Sequence, residues 1–170
     1  MNETRRAIAD HVRERPGVHF SAVVRETDFA PGQVQYHLRR LCSDGRLVPE
    51  ELYGRTHYYP PEYDEWERAA LAMFRRETAR DLLAFLLDEG ETGPATLADE
   101  LDLARSTVEW HLDNLEAQDL VERRREGNRV RVALARPEAT AELLAAVTPS
   151  MPERLVDRFT RLVDGLLDEG

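Results

Sequence analysis

Apolar residues recur along the chain in short stretches of helical spacing, and the stretches come in a fixed order. Thr4 to Glu14 carries Ala7, Ile8, His11 and Val12 on one side and stops at Pro16-Gly17. Ser21 is placed to cap a short second helix bearing Val23 and Val24. After a turn at Thr27-Asp28-Phe29, Pro31 opens a third helix, in the one turn where its missing N–H costs nothing. That helix buries Val34, Leu38 and Leu41 and ends at Asp44-Gly45. Leu47 to Glu50 and Thr56 to Tyr59 then read as two strands around a turn containing Gly54, closed by Pro60-Pro61.

The same order returns downstream. Glu77 to Asp88, Ala95 to Leu101 and Ala104 to Ala117 read as three helices. Leu120 to Arg124 and Arg129 to Leu134 form a hairpin turning at Glu126-Gly127-Asn128. The repetition extends to individual residues at a constant offset of 74: Val34 with Val108, Tyr36 with Trp110, His37-Leu38 with His111-Leu112 and Leu41 with Leu115. Ile8, Val12, Val23 and Phe29 fall on Leu82, Leu86, Leu97 and Leu103 at that offset, and with one residue lost Leu47-Val48 falls on Leu120-Val121. Two copies of one small domain account for this self-similarity.

Between the copies, Glu62 to Phe74 reads as a helix with Trp66, Ala69, Ala70, Met73 and Phe74 on one side. After Pro137, Glu138 to Val147 reads as a helix broken by Thr148-Pro149-Ser150-Met151-Pro152. Leu155, Phe159, Leu162 and Leu166 follow with heptad-like spacing. The expected fold class is mainly α with small β-hairpins. Residues 1–60 form the first module, 61–74 a linker helix, 75–136 the second module, and 137–170 the C-terminal helices.

Three helices followed by a β-hairpin is the winged helix-turn-helix arrangement. Val34-Gln-Tyr-His-Leu-Arg-Arg-Leu41 and Ser106-Thr-Val-Glu-Trp-His-Leu-Asp-Asn-Leu115 give the chain its resemblance to winged-helix transcriptional regulators of the ArsR and MarR type. More closely, it resembles archaeal regulators with two such modules in tandem. The resemblance implies a sequence-specific regulator binding double-stranded DNA through its third helix and wing. The alternative is a winged-helix module that docks proteins within a transcription complex without reading sequence.

Charge first argues against nucleic acid, because the net charge is −10. All 23 basic residues are Arg and 33 residues are acidic, a composition that fits a salt-loving archaeal source, where acidic surfaces stay hydrated under strong screening. The placement of the charge changes the picture. Residues 1–60 hold nine Arg against eight acids, whereas 61–74, 75–136 and 137–170 carry −3, −4 and −4. A negative chain can bind DNA where its contact face is locally positive.

On the third helix, solvent-facing residues near the N-terminus reach base edges. In the first module these are Gln33, Gln35, Tyr36, Arg39 and Arg40, with Arg55, Thr56 and His57 on the wing. Gln suits adenine and Arg suits guanine or phosphate. The second module offers Arg105, Ser106, Thr107, Trp110 and Asn114, and its wing gathers Arg123, Arg124, Arg125 and Arg129. It also places Glu109 and Asp113 on the same helix, where acids near phosphate cost affinity. Module one is therefore expected to be the principal reader, and module two either a second contact or part of the assembly. Leu155, Phe159, Leu162 and Leu166 are the expected dimerisation seam, with packing onto their own module as the other reading.

Other chemistry finds little support. No Gly-rich phosphate loop, His-Glu-x-x-His or nucleophile elbow occurs, so an enzyme is not expected. His37 and His111 repeat, but as parts of a shared helix, and no metal or other cofactor is expected. The lone Cys42 has no disulfide partner within the chain. No apolar run is long enough to span a bilayer and no secretory signal opens the chain, so a cytoplasmic protein is expected. The expected partners are double-stranded DNA and a second copy of the chain, with contact to the transcription machinery left open.

Overall fold

The computed structural model describes residues 2–147 and Asp168. The expected seam at 155–166 lies outside the described residues. The chain divides into two compact units, with the boundary between Ala72 and Met73.

In the first unit, α1 (Glu3–Glu14) starts where the Asn2 side chain accepts from the backbone N–H of Thr4 and Arg5, at 2.7 and 3.2 Å. That satisfies two donors the first turn leaves open. Ile8, Ala9 and Val12 are buried. The chain leaves α1 through Gly17, whose φ of +87° and whose position against the Leu71 backbone both disfavour a side chain; a Cβ there would lie 3.0 Å from the Leu71 carbonyl.

A short strand follows, β1 (Val18–His19), and then α2 (Phe20–Glu26). The helix therefore begins before Ser21. His19 occupies the cap position but makes no side-chain capping bond to the helix, and Ser21 is exposed within the first turn. The reason is the strand: Val18 and His19 pair antiparallel with Tyr58 and His57, which carries extended backbone directly into the helix. The third helix, α3 (Pro31–Ser43), has Pro31 at its first position as expected. The Gln33 side chain accepts from the Ala30 N–H at 3.2 Å, so Gln33 helps to cap its own helix. β2 (Val48–Leu52) and β3 (Arg55–Tyr59) form a hairpin whose two loop residues, Tyr53 and Gly54, both have positive φ, the requirement of a type I′ turn. The sheet order is β1-β3-β2.

α4 (Glu65–Phe74) starts later than the apolar pattern suggested. Asp64 and Glu67 exchange side-chain and backbone bonds at 2.8 and 3.1 Å, a reciprocal cap that sets the boundary. Tyr59 donates its hydroxyl to the Arg68 carbonyl at 2.8 Å, and Arg68 Nε donates to Glu50 at 2.8 Å. These bonds tie the start of α4 to the first unit's sheet.

The second unit repeats the plan with α5 (Glu77–Glu89), α6 (Pro94–Glu100), α7 (Arg105–Ala117), β4 (Val121–Glu126) and β5 (Arg129–Leu134), followed by α8 (Pro137–Val147). Leu82, Leu86, Leu97, Val108, Leu112 and Leu115 are buried, as are Ile8, Val12, Val23, Val34, Leu38 and Leu41 at the equivalent positions of the first unit. Even the short third strand has a counterpart. Thr92, 74 residues after Val18, exchanges two backbone hydrogen bonds with Val132, 74 residues after Tyr58.

Candidate nucleic-acid interface

In the first unit, Val34, His37, Leu38 and Leu41 turn inward along α3. The complementary face of the same helix exposes Gln33, Gln35, Tyr36, Arg39 and Arg40, all five residues expected there. The two arginines give this face its charge, and no acid stands among the α3 residues. Tyr36 is 56% exposed, a large value for an aromatic ring. It stands edge-on to the His37 ring, and the Arg5 guanidinium lies 6.0 Å from its centroid. Arg5 Nε donates to His37 Nδ1 at 3.3 Å. Burial and the adjacent Arg5 charge hold the His37 pKa below its ordinary value, so the imidazole stays neutral and its Nδ1 lone pair accepts.

On the first wing, Arg55 is exposed and Thr56 is half-buried. His57 is not a wing contact as expected. It is fully buried and donates from Nδ1 to the Gly17 carbonyl at 2.7 Å, because residues alternate in direction along β3 and position 57 faces β1 and the core. A crevice of ≈ 450 Å³ separates this wing from the helices, lined by Ser21, Gln35, Arg39, Arg55, Thr56 and Tyr58 among others.

The equivalent face of the second unit is built on α7 and has different chemistry. Arg105 and Ser106 are exposed at its start, Thr107 is half-buried, and Trp110 is 53% exposed at the position of Tyr36. Trp110 repeats the edge-on contact with the following histidine. His111, like His37, has its pKa lowered by burial, here with Arg76 as the nearby charge. Asn114 is half-buried with its amide nitrogen shielded from solvent, where its counterpart Arg40 is exposed.

Gln35 is replaced by Glu109 and Arg39 by Asp113. Arg123, from β4, folds back over these acids. Its Nη1 donates to Glu109 at 3.2 Å, its Nη2 to Asp113 at 2.7 Å, and its Nε and Nη2 to the two Glu116 oxygens at 3.1 and 3.2 Å. Its backbone N–H also donates to Glu116, at 3.2 Å. The bonds from Arg123 hold the Glu116 carboxyl below its ordinary pKa, and Glu116 and Asp113 raise that of Arg123. Arg123 is thus committed to its own module. Arg124, Arg125 and Arg129 are exposed toward the hairpin tip, Arg124 with Glu122 at 3.3 Å. The apolar and Arg pattern of the sequence located these residues. The three-carboxylate clamp was not foreseen, although Glu109, Asp113 and Glu116 at i, i+4 and i+7 already share one helical face.

Among the described residues, no cluster of three or more His, Cys, Asp or Glu is placed to hold a metal ion, and no helix is long and apolar enough to cross a membrane.

Comparison with known proteins places a separate domain family on each unit. Residues 2–71 match the N-terminal HTH domain family, and residues 76–124 match a helix-turn-helix domain family. The chain is a tandem helix-turn-helix protein. Neither matching family is one of enzymes. An uncharacterised HTH-type transcriptional regulator of Methanocaldococcus jannaschii is 29% identical to this tandem protein over 133 residues, which is 76% of this chain and 33% of the relative. The chain therefore spans about a third of that relative's length. Among solved structures, HlyU from Vibrio cholerae is 26% identical, with a TM-score of 0.43 over 47% of this chain and 86% of its own. The mRNA-binding domain of elongation factor SelB from E. coli is 20% identical, with a TM-score of 0.31 over 79% of this chain and 98% of its own.

Proposed function

We propose that the tandem helix-turn-helix protein is a transcriptional regulator that binds double-stranded DNA in a sequence-specific way, with the first module as the principal reader. The α3 face carries this reading: it exposes Gln33, Gln35, Tyr36, Arg39 and Arg40 together, with two positive charges and no acid among the helix's residues. In the major groove Gln35 reaches adenine edges, Arg39 and Arg40 reach guanine or phosphate, and Gln33 both caps the helix and faces the duplex. Arg55 and Thr56 meet the backbone from the wing, and Tyr36 packs against sugar or base from its exposed ring. In the second module, Arg124, Arg125 and Arg129 at the hairpin tip are the phosphate contacts, and Arg105, Ser106 and Thr107 lie nearest the duplex at the start of α7. Leu155, Phe159, Leu162 and Leu166 join two copies, as a two-fold operator would require. The protein works in the cytoplasm of a salt-loving archaeon, where its acid-rich composition keeps the surface hydrated under strong screening.

Arg39→Glu with Arg40→Glu tests the reading. Loss of both contacts and the added repulsion predict at least about 100-fold weaker duplex binding, at about 1–3 kcal/mol per base-directed arginine. Unchanged binding in a gel-shift titration would overturn it and favour a protein-docking role. Size-exclusion chromatography with light scattering across a dilution series tests the homodimer, and monomer at every concentration would refute it.

A further inference from the structure

The two third helices have the same backbone plan, yet only one offers a face compatible with the phosphates that line a major groove. On α7 the positions equivalent to Gln35 and Arg39 are Glu109 and Asp113, with Glu116 one turn further on the same face. Arg123 holds all three carboxylates, and all three of its guanidinium nitrogens are engaged in doing so. Its side chain is 24% exposed, whereas those of Glu109 and Asp113 are 45% and 65% exposed. One arginine against three carboxylates leaves this cluster at −2, with Glu109 and Asp113 open to solvent. A glutamate can accept from a cytosine amino group, but an oxygen of Glu109 is already bonded to Arg123.

We propose that Glu109 and Asp113, held in place by Arg123, are negative specificity determinants: they keep the second module's third helix out of the major groove, so that each chain reads bases with one third helix and not two. Discrimination between sites of like geometry is commonly achieved by such repulsive elements as well as by attractive ones. The Arg123 clamp makes the exclusion robust. It orients the carboxylates by a bond to each and links the wing to α7. Arg123 acts here through the acids and not by touching DNA, and it is a positioning residue. The wing tip, with Arg124, Arg125 and Arg129 outside the clamp, keeps its contact with phosphate.

The inference rests on the first module being the reader, and the test separates the two ideas. Glu109→Gln with Asp113→Arg installs on α7 the residues of α3 at the same positions. Duplex affinity is measured by fluorescence anisotropy on a random-sequence DNA pool, in the native chain and in the Arg39→Glu/Arg40→Glu chain. The exchange is expected to tighten binding at least fivefold in the native chain and to restore at least tenfold in the disabled one. Glu138→Gln with Glu142→Arg, on the exposed side of α8, makes the same charge change away from α7 and is expected to give less than threefold in either. Equal gains from the exchange and this control, or no gain from the exchange, would overturn the inference. Undiminished binding by the Arg39→Glu/Arg40→Glu chain would instead overturn the reading of the first module. Asp113→Asn alone, at a well-exposed site and with Arg123 still bonded to Glu116, guards against a folding defect. It is expected to melt like the native chain and to bind about threefold tighter, and no gain from this folded variant would count against the inference.

Discussion

Where the first module's third helix places Gln35 and Arg39, the second places Glu109 and Asp113, on helices that bury the same valine and two leucines and carry a histidine at the same position. Each also exposes one large aromatic, Tyr36 or Trp110, edge-on to that histidine. The core-facing half of the helix has been kept and the solvent-facing half has diverged in charge. The difference shows which part of a helix-turn-helix repeat the fold constrains. A buried leucine is held by packing whatever the module does, while an exposed position is free to follow function. The wings diverge in step. Glu50 of the first hairpin pairs with Arg68 of α4, and at the corresponding place in the second hairpin Arg123 pairs back onto α7.

The comparison can be broken first at its shared half. Leu38→Ala and Leu112→Ala remove equivalent, fully buried side chains and are each expected to cost about 2–5 kcal/mol of their own unit's stability. Trp66 lies in the first unit and Trp110 in the second, so Trp110→Phe and Trp66→Phe backgrounds report urea unfolding unit by unit. A cost at one leucine more than twice that at the other would mean the modules are not packed alike.

At the diverged half, Arg123→Met strips three carboxylates of their common partner. It is expected to destabilise the second unit by about 1–2 kcal/mol, the upper range for charged hydrogen bonds being discounted because the acids are well exposed. In the Trp66→Phe background the urea midpoint should fall. In the Trp110→Phe background, which reports the first unit, it should stay where it was.

The smallest effects concern pH. His37 and His111 both have folded pKa values depressed by burial below 6.5, so the unfolded chain takes up protons more readily. The stability this gives is present above pH 6.5 and is lost as pH falls through the depressed values, in both units alike. Glu116 and Glu26 are depressed from 4.5, by Arg123 and by His11 respectively, and their contribution is lost only at more acid pH. Melting temperatures between pH 8 and pH 5 should fall in parallel for the two units. Arg123→Met should remove the Glu116 part of the acid-side loss, and its persistence unchanged would contradict the clamp.

Much of the fold could be read from the chain before its structure, because the modules repeat. A periodic pattern seen twice at a fixed offset places helices and hairpins more surely than one seen once, and the inward leucines follow directly. What stayed hidden was long-range. Val18 and His19 are too few to show a strand's alternation, and their partners on β3 are some 40 residues away. Missing that strand misplaced the cap of α2 and left His57 looking like a wing residue. The acids on α7 were visible as a liability. Their partner was not, since Arg123 sits in a run of three arginines that the sequence alone cannot divide between solvent and helix. The strand register divides them: Arg123 pairs with the buried Val132, on the core side of the ribbon, while Arg124 faces Arg131 on the other.

The central claim is that two modules of one fold differ in their contact with DNA because of two exposed positions. Gln35→Glu with Arg39→Asp gives the first module the second module's residues there. Both sites are exposed, so the melting temperature should hold while affinity for a duplex selected by the native chain falls at least about 100-fold, as two base contacts are lost. A folded variant that binds that duplex within twofold of the native chain would contradict the account.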